Sequence, residues 1–357
     1  MGSVQPPSTP ETAYAVAADA SPLVTLYVAA YNQEPLVREA VAGAFAQTYQ
    51  PLEIVLSDDC SEDGTFTAME EMAASYSGPH SVVLNRNPEN LGIPAHVDRI
   101  VEIASGRLIV QNAGDDVSLP GRVSRLVEVW QGGQGRIKAL HSAKFRIDER
   151  GQLLGRQVDH EPIDGHSALA LLRDQPSISG ASMAWDREVF DVFGPLGTTP
   201  VFEDYPICLR AATIGDVVYV DEPLLNYRLG GLSASRVEPM GWFVLYGHRR
   251  TFISWHLSFS QLYAKDLERF PADDMDQVRA QCAKNIRDFS LDLDLSQMSH
   301  KERFAALPAA AWSSLKHRDP AKLRSTLKYC FDGVYMPWLN WRYGTFEPGV
   351  MRKRPGT

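Results

Sequence analysis

Three adjacent acidic pairs stand out along the chain: Asp58-Asp59, Asp115-Asp116 and Glu203-Asp204. Neighbouring carboxylates repel one another unless something cationic joins them. As hard oxygen ligands they suit Mg2+ or Mn2+, ions usually held by one or two carboxylates and otherwise by the oxygens of a substrate diphosphate. Glu203-Asp204 opens a helix-like stretch, where the helix dipole favours the ionised form; an ionised carboxylate is what a general base must be. Each pair also has a plainer reading. An Asp in a strand-to-helix turn caps the next helix, and Asp63 with Gly64 reads in that way, as Glu203-Asp204 does taken alone. His96, His141 and His166 are scattered without metal-ligand spacing and read as satisfied or surface histidines. Tyr227-Arg228 with Ser233 has two readings, a phosphate contact from a closing loop or a helix-packing arginine.

These groups need rigid elements to position them. Leu23 to Ala30 is a continuous β-branched and apolar run of the kind buried on both faces of a parallel sheet. Pro35 to Gln47 repeats its apolar residues at helical intervals, with Pro35 where a first turn tolerates it. The alternation continues: strand from Glu53, helix from Phe66, strand from Ser81, helix from His96, strand from Arg107 to Gln111, helix from about Pro120. Such order predicts an α/β fold with a mostly parallel sheet flanked by helices. In such sheets ligands bind at the carboxyl ends of the strands, where Asp58-Asp59 and Asp115-Asp116 fall. Further strands are expected over Ile137 to Ile147 and Val217 to Val220, with a helix over Glu203 to Ile214. Beyond Met240, helices are expected near 242–265, 275–297, 300–316 and 320–332. The expected organisation is a leader over 1–20, a catalytic domain over 21–236 and a helical region over 237–357. Within the domain over 21–236, about 21–120 forms one half and about 121–236 the other.

The chain has 357 residues, 44% hydrophobic and 22% charged, enough for a substantial core. Its 35 Lys and Arg against 44 Asp and Glu give a net charge of −9, which argues against nucleic acid as partner. An anionic ligand therefore needs local help, such as a metal ion. The four cysteines show no C-x-x-C pair, so neither a disulfide framework nor structural zinc is indicated, and a cytoplasmic setting is expected.

Several stretches together resemble the family 2 glycosyltransferases. They begin with Val24 to Asn32, then Ala46 to Thr65, which includes Ser57-Asp58-Asp59-Cys60-Ser61-Glu62-Asp63-Gly64-Thr65. Asn87-Pro88-Glu89-Asn90-Leu91-Gly92, Asn112-Ala113-Gly114-Asp115-Asp116 and Gly180-Ala181-Ser182-Met183 follow in the same order. Phe202-Glu203-Asp204-Tyr205 and Glu222 to Arg228 complete the likeness, over about residues 21–236. The resemblance implies a GT-A fold and inverting, metal-assisted transfer from a nucleotide diphosphate sugar, UDP in the first place. The acceptor would be a saccharide or glycoconjugate, for example a growing cell-surface glycan. By the same resemblance, Tyr31 and the backbone at Ala29 lie beside the base, Asp59 bonds it, and Asp58 is the second neighbour. Asp115 contacts the ribose or the metal shell, Asp116 ligates Mn2+ or Mg2+, and Asp204 is the base. Glu203 and Arg228 are expected at a phosphate or acceptor contact. The metal motif reads Gly114-Asp115-Asp116, a form some members share; the literal Asp-x-Asp at Asp292-Leu293-Asp294 reads as a solvated helix face.

Trp242 to Arg250 and Tyr335 to Arg354 mix aromatic and basic residues. That mixture suits peripheral contact with the inner face of a membrane. It equally suits packing on the catalytic domain or on a second copy of the chain. Two other functions compete with glycosyl transfer. A nucleotidyltransferase would also be acidic and metal-dependent, but usually places a Gly-rich phosphate loop after its first strand, where Ala29 to Glu34 has no glycine. A binding scaffold that had lost its chemistry would be expected to lack Asp116 or Asp204.

Overall fold

A computed structural model describes residues 21–157, 164–175, 179–198, 202–229 and 242–297, with isolated positions beyond. Four parallel strands build its first half: β1 (Val24–Ala30), β2 (Leu52–Asp58), β3 (Ser81–Arg86) and β4 (Leu108–Ala113), in the spatial order 3-2-1-4. Helices α1 (Glu34–Phe45), α2 (Thr65–Ser75) and α3 (Ile93–Ile103) connect them. The apolar run of β1 is explained by burial on both faces. Val24, Leu26, Val28 and Ala30 join the core under α1 and α2, whereas Tyr27 turns to the opposite core with Val97 and Ile100 of α3.

Beyond β4 the sheet becomes mixed. A short β5 (Val117–Ser118) and α4 (Arg122–Gly132) lead to β6 (Ile137–Ile147) and its hairpin partner β7 (Leu153–Gln157). Then come α5 (Ala168–Asp174), a single 3-10 turn (Gly180–Ser182), β8 (Ala184–Asp186), α6 (Glu188–Phe193), α7 (Asp204–Ile214) and β9 (Asp216–Arg228). Strand β8 runs antiparallel between β4 and β6, and β9 lies parallel to β6. Strand β9 is much longer than the Val217 to Val220 expected, because its far end pairs with both β5 and β6.

Helices α8 (Trp242–Leu267) and α9 (Ala272–Gln297) pack on each other, on α7 and on α5. Phe259, Tyr263, Leu267 and Cys282 enter the same apolar core as Tyr205, Cys208 and Leu209 of α7. Arg210 of α7 and Asp266 of α8 form a buried ion pair, with Nε to Oδ2 at 2.8 Å and Nη2 to Oδ1 at 3.1 Å. The same guanidinium donates to the carbonyl of Gly194 at 2.8 Å. The described part of the helical region is thus built into the core. On α9, Leu291 and Leu293, which flank Asp292, pack with Phe289 around Ile253 and Leu295. No helix among the described residues is long and apolar enough to cross a membrane. The leader, Ser233, the helices expected at 300–316 and 320–332, and the aromatic stretch 335–354 lie outside the described residues, as do the side chains of 242–251.

Candidate active site

The carboxyl edge of β2, β1 and β4 brings the first two acidic pairs together. Register aligns Ala30 with Asp58 and Ala29 with Ala113, and the Gly114 N–H donates to the Ala29 carbonyl at 2.8 Å. A side chain at position 114 would meet the Ala30 Cβ at 2.6 Å and Gln33 Oε1 at 2.5 Å, so the close approach of the two strands requires glycine. The turn that follows is pinned from within. Asn112 Nδ2 donates to the Asp116 carbonyl at 3.0 Å, and Asn112 Oδ1 accepts from Ser118 Oγ at 2.7 Å. Arg122 is wholly buried beneath, with Nη1 on Ser118 Oγ at 2.9 Å and Nη2 on the Ala181 carbonyl at 3.1 Å.

Asp116 is almost entirely buried, and burial together with Asp115 pushes its pKa up to about 8. The Arg228 N–H donates to its Oδ1 at 2.9 Å, and Arg122 and Lys144 offset part of the rise. Among the described residues its Oδ2 takes no hydrogen bond. Two buried neighbouring carboxylates, with the pKa of Asp116 raised, are the donor set that a divalent cation would complete. The described residues include no group of three or more His, Cys, Asp or Glu arranged to hold a metal. Mg2+ and Mn2+ need none when substrate oxygens complete the shell, so the residues present fit such an ion.

Asp58 and Asp59 are organised more tightly than their motif reveals. Asp59 Oδ1 accepts from Asn87 Nδ2 at 2.8 Å and the Leu91 N–H at 3.0 Å, and Oδ2 accepts the Gly92 N–H at 3.0 Å, which ties β2 to the start of α3. An ionised carboxylate has about four acceptor positions, so one remains. Asp58 is fully buried and holds its own turn through the Ser61 N–H and hydroxyl, with Arg86 Nε at 3.5 Å. Tyr31 is half-buried beside them, at the end of β1.

Arg228 has a different task from the phosphate contact expected of it. Its Nε donates to the Asp115 carbonyl at 3.0 Å, Nη1 to the Asp148 and Glu149 carbonyls at 3.1 Å, and Nη2 to Glu39 Oε2 at 2.6 Å. It is buried in strand β9 and clamps the Asp115-Asp116 turn against α1 and the β6–β7 hairpin.

Glu203 and Asp204 sit where α7 begins, against the 3-10 turn. Gln111 of β4 donates from Nε2 to Glu203 Oε1 at 2.5 Å, which couples this pair to the strand that carries Asp115-Asp116. Glu203 is buried and its carboxyl pKa is raised by desolvation. Asp204 is half-buried. Its Oδ2 accepts the Gly180 N–H at 3.2 Å and Oδ1 the Tyr205 N–H at 2.7 Å, yet burial and the Glu203 charge lift its pKa to about 7. Tyr205 is held from behind: its hydroxyl donates to the Leu171 carbonyl at 2.7 Å and its ring stacks on Phe259 of α8.

Sequence reasoning passed over Gln111 and Lys144. Each left a signal, a polar residue within a buried strand.

Residues 25–177 match the family described as glycosyl transferase family 2. A putative glycosyltransferase EpsE of Bacillus subtilis (strain 168) is 31% identical over 109 residues, which is 30% of this chain and 38% of that protein, so the alignment spans well under half of that relative. Among solved structures, S. aureus TarS 1-349 in complex with UDP superposes with a TM-score of 0.55 at 14% identity, over 93% of this chain and 94% of that one. The mannosyltransferase PcManGT from Pyrobaculum calidifontis, in complex with GDP-Man and Mn2+, gives 0.50 at 17% identity, over 91% and 84%. The fold is the mixed α/β, GT-A arrangement expected from the sequence, and residues 25–177 within it match the glycosyl transferase family 2 model.

Proposed function

We propose that the protein transfers a sugar from a nucleotide diphosphate sugar to a hydroxyl of a saccharide or glycoconjugate acceptor, such as a growing cell-surface glycan, with inversion. One observation carries this reading above all. A half-buried carboxylate, Asp204, is held by two backbone N–H groups with its pKa lifted to about 7, and is tied through Glu203 and Gln111 to the strand bearing a second acidic pair.

On the donor side, Asp59 offers its remaining acceptor position to the base, Tyr31 and the Ala29 backbone lie alongside, and Asp58 keeps the turn in shape. Asp116, with Asp115, would hold Mn2+ or Mg2+. When bound, that ion neutralises the leaving diphosphate. On the acceptor side, Asp204 takes the hydroxyl proton as its oxygen attacks the anomeric carbon, while the bond from that carbon to the diphosphate breaks and its electron pair leaves with the phosphate. A single in-line displacement inverts the anomeric centre. UDP is the donor nucleotide favoured, since TarS binds UDP, and GDP is the next to test, since PcManGT binds GDP-Man with Mn2+.

The test is Asp204→Asn. Donor binding should persist while transfer falls by about 10²- to 10⁴-fold, the usual contribution of a general base. Transfer within about threefold of the wild type would place the base elsewhere.

A further inference from the structure

Helix α3 sets a histidine against the strand that leads to Asp59. Val55 of β2 joins the core formed with Val97 and Ile100 of α3, and Ser57, two residues on, lies on the same face of the strand. His96 stands one helical turn before Ile100 and so meets Ser57. Both are buried, with His96 Nε2 and Ser57 Oγ 2.7 Å apart. Ser57 pairs in register with Asn85 of β3, whose Nδ2 donates to Ser57 Oγ and to Asn87 Oδ1, each at 2.9 Å. Asn87 is buried in turn, and its Nδ2 donates to Asp59 Oδ1 at 2.8 Å. A chain of four hydrogen bonds thus runs from the imidazole to the Asp59 carboxylate.

The direction of every bond in this chain follows from the imidazole. Ser57 Oγ accepts from Asn85, and its own proton goes to His96 Nε2, which must then be unprotonated, with the ring hydrogen on Nδ1. Burial favours this neutral ring, holding the His96 pKa below its usual value although Asp59 and Asp58 pull the other way. An Nε2–H would reverse the chain. Ser57 would donate to Asn85, the Asn85 amide would turn its oxygen toward Ser57 and Asn87, and Asn87 would present its oxygen to Asp59. Two oxygens would then oppose each other where an N–H now meets the carboxylate. In the observed direction Oδ1 accepts from Asn87 and Leu91, whereas Oδ2 accepts only from Gly92, so the open acceptor position of Asp59 lies on Oδ2.

We propose that His96 is a positioning residue for the donor nucleotide: accepting at Nε2, it directs the hydrogen bonds through Ser57, Asn85 and Asn87, and so fixes the Asp59 carboxylate with Oδ2 open to a ring N–H of the kind uracil and guanine present. The inference rests on the glycosyl-transfer reading above, in which Asp59 meets the base.

The test has two arms, both on the full chain. Long-range proton–nitrogen NMR correlations of isotope-labelled histidines, assigned through His96→Leu, should show the Nδ1–H tautomer at His96; an Nε2–H tautomer or an imidazolium at neutral pH overturns the assignment. In the second arm UDP, GDP and inorganic pyrophosphate are titrated with Mn2+ into wild type, His96→Leu, Asp59→Ala and the double variant, after near-UV circular dichroism shows the wild-type fold. His96→Leu should weaken the preferred nucleotide by at least about threefold, the scale of one hydrogen bond, while pyrophosphate, which carries no base, changes by less than about twofold. In the Asp59→Ala background the same substitution should cost less than about twofold, because its effect runs through that carboxylate. If His96→Leu does not fold, Ser57→Ala interrupts the same chain and is measured in its place. A smaller loss for the nucleotide, an equal loss for pyrophosphate, or a loss that persists in full without Asp59 overturns the assignment. Failure of the wild type to bind either nucleotide, or unchanged nucleotide affinity in Asp59→Ala, would instead overturn the reading on which it rests.

Discussion

Oδ2 of Asp204 accepts the N–H of Gly180 at 3.2 Å, so the acid at the head of α7 is held by the turn that occupies the gap beside β8. A side chain at position 180 would stand 2.7 Å from Glu203 Oε1, 3.1 Å from Gln111 Nε2 and 3.3 Å from the Asp204 Cβ. Gly180→Ala must therefore push the Glu203 carboxylate aside and crowd Asp204. Misplacing a reacting group by about 1 Å can lower rates by roughly 10²-fold. Steady-state kinetics should show kcat reduced by about ten- to a hundredfold with the donor KM little changed; an unchanged kcat would separate this contact from the chemistry.

The pH profile follows from the shift at Asp204. Burial and the Glu203 charge raise its pKa to about 7, against the opposing Tyr205 and Gly180 N–H bonds. A base works when ionised, so kcat/KM should climb with pH through about 7 and level off above it. Stability should move the other way. The folded chain keeps this proton over a range, from about 4 to about 7, in which the unfolded chain has released it, so stability falls as pH rises through that range. A rate profile that is flat from about pH 5 to 9 would contradict the assignment.

The Arg210–Asp266 pair fastens α8 to the helix that carries Asp204. Both residues are buried, so Asp266→Ala leaves an uncompensated guanidinium in the interior. Urea unfolding should show a loss of about 3–5 kcal/mol. A loss below about 1 kcal/mol would show that solvent reaches the pair.

Arg228→Lys tests the clamp on the Asp115-Asp116 turn. Lysine lacks the planar fork that reaches the Asp115, Asp148 and Glu149 carbonyls and Glu39 together. Substitution of groups that orient metal ligands typically weakens metal binding by about 10- to 100-fold. Mn2+ titration in the presence of UDP should show a loss of that order. Unchanged Mn2+ affinity would leave Arg228 a purely structural tie between β9 and α1.

The first half of the sheet was legible because its signals are local. The β1 run and the helical spacing of α1 each follow from burial on a sheet covered on both faces, and the Asp115-Asp116 pair sits directly at a strand end. The second half was less so. Gln111 and Lys144 acquire their meaning from pairings across β4, β8 and β6, between residues far apart in the chain. Arg228 illustrates the same limit: its type suits a phosphate, but only the fold shows that backbone carbonyls and Glu39 occupy its guanidinium. The stretch around 150–200 has little periodicity because its elements are short, a hairpin strand, α5, a 3-10 turn, β8 and α6, each held by neighbours and not by its own pattern.

The central claim is that this carboxyl edge binds a nucleotide diphosphate sugar together with a divalent metal through Asp116. Isothermal titration of UDP- and GDP-sugars into the full chain, with Mn2+ and with EDTA, tests it most directly, with Asp116→Ala alongside. The expected result is that at least one donor binds with Mn2+, that chelation weakens it at least about tenfold, and that Asp116→Ala abolishes the metal dependence. Absence of binding by any of these sugars, or metal-dependent binding that survives in Asp116→Ala, would contradict it.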